Sequence, residues 1–386
     1  MKRAIILVAD GVGCGGAEDA AAYGDAGADT LGNLARNVGG LALPHLARLG
    51  LGHTTAIAGV PPVDAAGAHG VMHEASAGKD TIAGHWEMAG VVTAQALPTF
   101  PRGFPPAITD ALSAASGRGL LGNKTASGTA IIDELGAEHL ATGKLILYTS
   151  ADSVLQLAAH ESVVPLPELY AICEQARAIA DRWRIGRVIA RPFVGTPGKF
   201  TRTYNRRDYA LLPPEPTLCD AVAAGGMDVI GVGKINDIFG GRGITRSIHT
   251  EGNRDGLEQT LDALATLRRG LLFVNLVDFD MLYGHRNDCP GFAAALRQLD
   301  DWLPRLQAAL RPGDTAFITA DHGNDPTTPG TDHTRERVPL LAFGPGVRAG
   351  DLGARRSFCD LGQTIADGLG LPPLPRGKSF ADRLRT

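Results

Sequence analysis

The chain has 386 residues, which is long enough for a sizeable hydrophobic core and for either two domains or one large domain with an insertion. Hydrophobic residues make up 44% of the sequence and charged residues 20%, a composition that excludes an intrinsically disordered chain. The formal net charge of −4 argues against a general nucleic-acid-binding protein.

Cysteine usage and the first residues predict a cytoplasmic protein. The five cysteines are odd in number and widely scattered, which is not the pattern of a disulfide framework and fits a reducing compartment. The apolar run at residues 4–9 is too short for a signal peptide and stops at Asp10. Because no stretch is long and apolar enough to span a bilayer, we expect no membrane partner.

The first element is the apolar run at residues 4–9, which is typical of a strand buried on both faces of a parallel sheet. It ends at Asp10, and the glycines that follow allow a backbone to approach closely. Their spacing does not fit a dinucleotide-binding motif with its later ribose-binding acid. A carboxylate there would also repel phosphates unless a metal lay between them. We therefore interpret Asp10 as a metal ligand.

A second region of interest runs from residue 76 to residue 88. Gly78 and Lys79 stand before a hydroxyl residue, Thr81, with a predicted helix following, so backbone N–H groups and a cation form an anion site. Two interpretations of Thr81 remain open. Its hydroxyl caps the helix, or it is a nucleophile, which requires a metal to lower the pKa of the alcohol.

Two proline-dense stretches, at residues 98–106 and 211–216, predict stiff hinges around an inserted domain. We therefore expect a core domain at residues 1–96, an inserted cap domain at 97–212, and the rest of the core at 213–386. Inside the insert, residues 143–150 and 187–195 read as strands. The basic tract at 199–208 is either a phosphate-recognition segment or a solvated surface.

The second part of the core contains further apolar runs that predict buried strands, at residues 228–234, 270–277, 315–319 and 338–343. Residues 291–310 predict an amphipathic helix with a kink or a break at Pro304. Strands that alternate with helices predict an α/β fold with a mostly parallel central sheet flanked by helices, plus a smaller inserted α/β cap.

Metal-ligand side chains follow three of these strands: Asp10, then Asp280 and His285, then Asp321, His322 and His333. Three carboxylates, three imidazoles and the Thr81 hydroxyl suffice for two divalent ions, the arrangement that supports phosphoryl transfer. Oxygen and nitrogen ligands without thiolates fit Mn²⁺ or Zn²⁺. The nearby Asp325 and Asp332 are interpreted as supporting residues and not as ligands.

Five motifs carry a resemblance to a known family. They are Asp10-Gly11-Val12-Gly13; Gly78-Lys79-Asp80-Thr81 with Gly84-His85-Trp86-Glu87; Tyr148-Thr149-Ser150-Ala151-Asp152-Ser153; Val277-Asp278-Phe279-Asp280 with Tyr283-Gly284-His285-Arg286; and Ala320-Asp321-His322-Gly323-Asn324-Asp325 with Gly330-Thr331-Asp332-His333-Thr334-Arg335-Glu336. In these motifs, and over nearly its whole length, the chain resembles the alkaline phosphatase superfamily and, within it, the phosphopentomutase family.

The resemblance implies an alkaline-phosphatase-like core and a role for each matched residue. Thr81 would carry the phosphoryl group. One Mn²⁺ would be held by Asp10, Asp321 and His322 near Thr81, and the other by Asp280, His285 and His333. The pentose phosphate would be bound by Ser150, Asp152, Arg191, Arg206 and Lys234, with Arg207 as the alternative to its neighbour Arg206.

The implied reaction interconverts ribose (or 2-deoxyribose) 1-phosphate and 5-phosphate through a phosphothreonine enzyme and a bisphosphate, with a sugar bisphosphate (glucose 1,6-bisphosphate or ribose 1,5-bisphosphate) as activator. A cap that excludes water would keep the enzyme from acting as a phosphatase. The substrate would be a small-molecule pentose phosphate, and no nucleic acid, membrane or obligate protein partner is expected.

Four alternative functions can be compared with the sequence. A metal-dependent phosphatase or a cofactor-independent phosphoglycerate mutase belongs to the same superfamily, but the latter typically has Ser at the position of Thr81. A sulfatase is disfavoured because Cys289-Pro290 does not continue into the motif that such enzymes modify. A catalytically silent metal-binding or sugar-phosphate-binding protein would lack a ligand or the nucleophile, and none is missing.

Overall fold

The computed structural model describes residues 1–150 and 152–385, so Ala151 of the third motif and Thr386 lie outside the described residues. The strands are β1 (Arg3–Ala9), β2 (Ala68–Met72), β3 (Leu120–Thr125), β4 (Leu145–Thr149), β5 (Val154–His160), β6 (Arg187–Thr196), β7 (Lys199–Arg202), β8 (Arg207–Ala210), β9 (Asp228–Val232), β10 (Arg246–Ile248), β11 (Gly270–Leu276), β12 (Asp314–Thr319), β13 (Val338–Phe343) and β14 (Gly350–Arg355).

The helices are α1 (Thr30–Asn37), α2 (Pro44–Leu49), α3 (Thr81–Met88), α4 (Pro106–Ser116), α5 (Gly128–Thr142), α6 (Leu166–Asp181), α7 (Leu218–Ala224), α8 (Ile235–Ile238), α9 (Asn253–Thr266), α10 (Cys289–Ala309), α11 (Cys359–Leu369) and α12 (Ala381–Leu384). A π-helical turn covers Phe279–Tyr283, and short 3-10 turns cover Ala20–Tyr23, Leu51–His53 and Gly284–Arg286.

Contacts divide the chain into two compact units, one made of Met1–Ala96 with the chain from Pro213 onward, the other of Leu97–Leu212. The larger unit contains an eight-stranded sheet in the order β10-β9-β11-β1-β12-β13-β2-β14. Its five strands from β10 to β12 run parallel, and β13 is antiparallel to both of its neighbours. The predicted α/β fold with a mostly parallel sheet is thus what the larger unit shows.

Strand β1 lies inside this sheet, between β11 and β12, and its residues are buried along its whole length. Its register places Ala9 beside Leu276 of β11 and Val8 beside Thr319 of β12. Since parallel neighbours end at the same edge, the polar residues that follow β1, β11 and β12 meet at one edge of the sheet. This register is what assembles the site.

Two helices near the site begin at aspartate N-caps. Asp29 is the N-cap of α1, where its side chain accepts a hydrogen bond from the Gly32 amide. Asp80 is the N-cap of α3 and accepts from the amides of Ile82 and Ala83. The helix predicted at residues 291–310 is present as α10, and it continues through Pro304, so the predicted alternative of a break there is wrong. No helix among residues 1–150 and 152–385 has the length and apolarity needed to cross a membrane.

The smaller unit has its own six-stranded mixed sheet in the order β3-β4-β5-β6-β7, with β8 paired to β6. One face of this sheet packs against α4 and α6 around Leu147, Leu157 and Val188. The other face packs against α5 around Ile131, Tyr148 and Phe193. Two faces covered by helices explain why the residues of β4 and β5 are buried throughout.

Candidate active site

One group of ligand-type side chains lies where β1 and β12 end. Asp10, Asp321 and His322 are fully buried, and their ligand atoms lie within 4.8 Å of one another. His322 Nε2 is 3.4 Å from Asp10 Oδ1 and 3.3 Å from Asp321 Oδ2. The structure therefore brings together the three residues that the family resemblance assigns to one metal.

A second group follows β11, where the π-helical turn Phe279–Tyr283 carries Asp280. His333 Nε2 is 3.2 Å from Asp280 Oδ1, His285 Nε2 is 3.2 Å from Asp280 Oδ2, and the two imidazole nitrogens are 3.2 Å apart. His322 joins both groups, because its ligand atom also lies within 4.8 Å of those of Asp280 and His333. The two groups are therefore contiguous.

The three imidazoles make the same kind of contact with the backbone. Each Nδ1 lies against a backbone carbonyl: His322 at 3.0 Å from Gly323 O, His333 at 3.0 Å from Lys79 O, and His285 at 2.6 Å from Thr331 O. A proton on Nδ1 donates to each carbonyl, which leaves the Nε2 lone pairs facing the carboxylates. Backbone partners of this kind fix the tautomer and the ring direction of metal-binding histidines.

Thr81 is the first residue of α3, and its Oγ1 is 3.2 Å from His322 Nε2. The helix is capped by Asp80, so capping does not explain the Thr81 hydroxyl. Gly84 allows the close packing of α3 on the loop after β12, because a Cβ there would stand 2.1 Å from the Asp321 carbonyl oxygen. Gly84 thus allows α3 to place the Thr81 hydroxyl beside the group formed by Asp10, Asp321 and His322.

The electrostatics of these groups fit a cation. Burial and the charge of Asp321 raise the pKa of Asp10. Burial alone would lower the pKa of His322, but Asp321 and Asp10 raise it well above its usual value. Asp10 Oδ1 and Asp321 Oδ2 are buried oxygens without a hydrogen-bond partner. Buried carboxylate oxygens without hydrogen-bond partners beside imidazole nitrogens make this a candidate site for a divalent metal.

Three supporting residues were not singled out from the sequence. The Asn275 amide donates to Asp10 Oδ2 at 2.9 Å, and the Asn324 amide donates to Asp280 Oδ1 at 2.7 Å. The ring of His85, fully buried, lies 2.8 Å from the Thr81 carbonyl oxygen and 3.2 Å from Asp321 Oδ2. Asn324 and His85 stand inside the quoted motifs, which was the only signal available; Asn275 lies within an apolar strand.

The acids set aside in the sequence have structural partners. Asp325 accepts hydrogen bonds from the Asp29 amide and the Asn33 side chain, at 3.0 and 2.6 Å. Asp332 accepts from the His333 amide at 2.9 Å. Both therefore hold the loop around the ligands.

The expected substrate-binding residues lie in both units. In the smaller unit, Arg191 donates to Gln156 at 3.0 Å, and Asp152 pairs with Arg187 at 3.3 Å. Arg206 forms a two-point ion pair with Asp208, while the guanidinium of Arg207 lies 3.9 Å from the Tyr170 ring centroid. Ser150 follows β4, its carbonyl oxygen 3.4 Å from the Thr149 hydroxyl. In the larger unit, Lys234 follows β9, and its charge lowers the pKa of Asp10, whose burial acts in the opposite direction.

Comparison with known proteins gives a consistent result. The metalloenzyme superfamily matches residues 2–373. A phosphopentomutase of Anaeromyxobacter sp. (strain K) is 60% identical over 372 residues, which cover 96% of this chain and 96% of that protein. A phosphopentomutase of Desulfitobacterium hafniense (strain DSM 10664 / DCB-2) is 54% identical over 387 residues, with 100% of both chains covered.

Among solved structures, the PH0037 protein from Pyrococcus horikoshii superimposes with a TM-score of 0.52 at 16% identity, covering 96% of this chain and 97% of that one, which supports the fold alone. The predicted fold class is confirmed. The two phosphopentomutases, at 60% and 54% identity over nearly the whole chain, show the family as well. A metal-dependent site is in keeping with the superfamily. The chain belongs to the phosphopentomutase family of the metalloenzyme superfamily.

Proposed function

We propose that this protein interconverts ribose (or 2-deoxyribose) 1-phosphate and 5-phosphate, with Thr81 as the residue that carries the phosphoryl group. The observation that supports this most directly is the position of the Thr81 hydroxyl, 3.2 Å from His322 Nε2 at the start of α3. A nucleophile at that point faces the buried ligand group and the N-terminus of a helix. Family membership supplies the reaction class, an isomerase that moves a phosphoryl group within a sugar.

The residues present fit two Mn²⁺ ions: Asp10, Asp321 and His322 with Thr81 would hold one, and Asp280, His285 and His333 would hold the other. When bound, such ions lower the pKa of a neighbouring hydroxyl and neutralise charge on a transferring phosphoryl group. Zn²⁺ would suit the same nitrogen and oxygen ligands, so the choice of Mn²⁺ rests on the resemblance to the family.

The chain's own residues then perform the following steps. The dipole of α3, which begins at Thr81, and the charge of Lys79 favour a phosphoryl group at Thr81. Phosphorylated Thr81 donates its phosphoryl group to the free hydroxyl of the pentose phosphate, giving the pentose bisphosphate. Thr81 then attacks the other phosphorus, whose bond to the sugar oxygen breaks, and the isomeric monophosphate leaves.

We also propose that Ser150, Asp152, Arg191 and Arg206 of the smaller unit, with Lys234 of the larger one, bind the sugar phosphate. Arginine forks suit phosphate oxygens because they bind them through two parallel hydrogen bonds. In this proposal the smaller unit acts as a cap that keeps water from phosphorylated Thr81, and a sugar bisphosphate primes the enzyme. The five thiols are free and buried, which supports the proposed cytoplasmic location.

The test is a single phosphorus NMR assay with Mn²⁺-loaded protein, ribose 5-phosphate and a trace of glucose 1,6-bisphosphate. Ribose 1-phosphate is the expected product. Free phosphate without ribose 1-phosphate would show a phosphatase, and binding without turnover would show a silent sugar-phosphate-binding protein. Thr81→Ala should abolish the reaction, and activity that survives this change would overturn the assignment of the nucleophile.

A further inference from the structure

The loop formed by residues 74–80, directly before Thr81, is held by two buried charged side chains that act on opposite backbone groups. Arg335 donates to the carbonyl oxygens of Glu74, Ser76 and Gly78 at 2.7, 2.8 and 2.6 Å. The Glu87 carboxylate accepts from the amides of Ala75 and Ser76 at 2.9 and 2.6 Å. The loop therefore has its carbonyls bound on one side and its amides on the other.

Arg335 is fully committed to this role. It is 3% exposed, and besides the three carbonyls its guanidinium binds the carboxylates of Glu74 and Asp19 at 2.7 and 3.0 Å. With its N–H groups directed at protein acceptors, the guanidinium has no donor left for a substrate. Arg335 consequently acts on the loop and not on the sugar phosphate.

The same loop also contacts a ligand residue. The Lys79 carbonyl accepts from His333, and Arg335 follows His333 by two positions. The Arg335 amide donates to Asp25 at 2.8 Å, and Asp25 also binds the Lys79 ammonium at 3.0 Å. Arg335 thus joins the loop before the hydroxyl to the segment that carries His333.

Glu87 anchors the other side. It lies on α3, the helix that begins with Thr81, and it is fully buried. Its carboxylate also accepts from the Ser357 hydroxyl at 2.8 Å and from the Phe358 amide at 2.9 Å. The helix is therefore fastened both to the loop before it and to the chain segment that precedes α11.

We propose that Arg335 and Glu87 are positioning residues that set the place of the Thr81 hydroxyl relative to the ligand groups. This inference rests on the proposed function, in which Thr81 accepts the phosphoryl group. A lysine at position 335 keeps the charge but cannot reach three carbonyls and two carboxylates, because an ammonium lacks the planar fork of a guanidinium. The loop at residues 74–80 then loses its fixed conformation, and the Thr81 hydroxyl is displaced from the ligand groups.

The test measures the rate at which glucose 1,6-bisphosphate phosphorylates Thr81 in the presence of Mn²⁺. Intact-protein mass spectrometry is the readout. Displacement of a reacting group by about 1 Å costs about 100-fold in rate, so Arg335→Lys should phosphorylate about 100-fold more slowly than the wild type. The KM for the sugar phosphate should stay within about twofold, because Arg335 does not touch substrate.

Arg3→Lys is the matched control. Arg3 is equally buried, pairs with Asp314, and donates to the carbonyls of Leu264 and Leu267, but at the start of β1. Its replacement should lower the melting temperature without slowing phosphorylation of the folded protein. Equal slowing in both variants would overturn the positioning role, because it would show a general loss of stability.

Two further measurements keep the proposal open to refutation if Arg335→Lys folds poorly. Guanidinium ions added to Arg335→Ala at millimolar concentration should restore part of the phosphorylation rate, and no restoration in a folded Arg335→Ala variant counts against the proposal. Glu87→Gln, which places an amide opposite two backbone donors, should slow phosphorylation by about 10-fold. A wild-type rate in Glu87→Gln would overturn the role of Glu87.

The wild-type protein separates the two proposals. If Thr81 of the wild type is never phosphorylated, the proposed function and this inference both fall. If it is phosphorylated and Arg335→Lys matches it, only the positioning role is wrong.

Discussion

Charged side chains are buried at both ends of the central strand β1, but they are paired differently at the two ends. At the start of β1, Arg3 pairs with Asp314 of the neighbouring strand, and a second arm of its guanidinium donates to the Leu264 carbonyl oxygen at 2.6 Å. At the other end, Asp10 and Asp321 lie near each other, and each has one buried oxygen with no hydrogen-bond partner. Both ends are equally buried.

The difference separates a structural charge from a functional one. A buried ion pair with its remaining donors satisfied holds two strands in register, and removing one partner is costly. Two carboxylates buried beside the single imidazole of His322 oppose folding through their like charges, and a bound divalent cation would offset that cost. The contrast predicts that substitutions at the two ends will affect different properties.

The largest expected effect is on activity, at the Asp10 end. Asp10→Asn should lower turnover by at least about 1,000-fold, because a ligand and its charge are lost. Without metal, the same variant should be as stable as the wild type or more so, since one buried like charge is removed. Added Mn²⁺ at about 100 times its Kd should stabilise the wild type by about 2.7 kcal/mol and Asp10→Asn far less.

Calorimetry in the presence of chelator or Mn²⁺ measures these stabilities, and the NMR assay measures turnover. Loss of stability in metal-free Asp10→Asn would break the comparison, because it would make Asp10 a structural acid like Asp314.

The second effect is on stability, at the Arg3 end. Arg3→Met leaves Asp314 buried without its partner, which should cost about 3–5 kcal/mol in the free energy of unfolding. Turnover per folded molecule should not change, since the register at the far edge of the sheet is kept by the remaining strand pairs. Urea denaturation and active-site titration measure the two quantities; a fall in turnover per folded molecule would contradict the separation of the two ends.

The smallest effect concerns pH, through Glu336, a buried acid near the Asp10 end that accepts hydrogen bonds from uncharged donors at Gly15, Thr30 and Thr334. Burial raises the pKa of Glu336 from 4.5 to about 7. A folded-state pKa above the unfolded value means that its contribution to stability is present at low pH and is lost as the pH rises through about 7.

Metal-free wild type should therefore lose about 1 kcal/mol of stability from about pH 6 to about pH 8 relative to Glu336→Gln. Urea denaturation across this range gives the difference, and Glu134→Gln, at an exposed carboxylate, is the control. Parallel pH curves for Glu336→Gln and the wild type would show that the neutral donors keep this acid ionised at all these values.

The sequence was sufficient to predict the buried strands of the sheet, because they are continuous apolar runs, but not β2, β10 or β14. Residues 4–9, 270–277, 315–319 and 338–343 are apolar runs with no helical period, and each coincides with a strand of the sheet to within a residue at either end. The ligand groups were equally visible, because Asp10, Asp280 and Asp321 come just after such runs. That they bind metal stays a prediction, as do the substrate-binding roles of Ser150, Asp152, Arg191, Arg206 and Lys234.

What the sequence by itself determined was therefore where strands end and which side chains stand there, since both depend on neighbours along the chain. Only the tertiary structure decided which buried polar groups are satisfied and by what. Asn275 reaches Asp10, and Arg335 reaches the loop before Thr81, across separations of more than 250 positions. Such partners depend on strand order, on register and on the packing of α3, and no local pattern records them. The same packing left one buried oxygen of Asp10 and one of Asp321 without a hydrogen-bond partner, whereas the buried charges of Arg3 and Asp314 pair with each other.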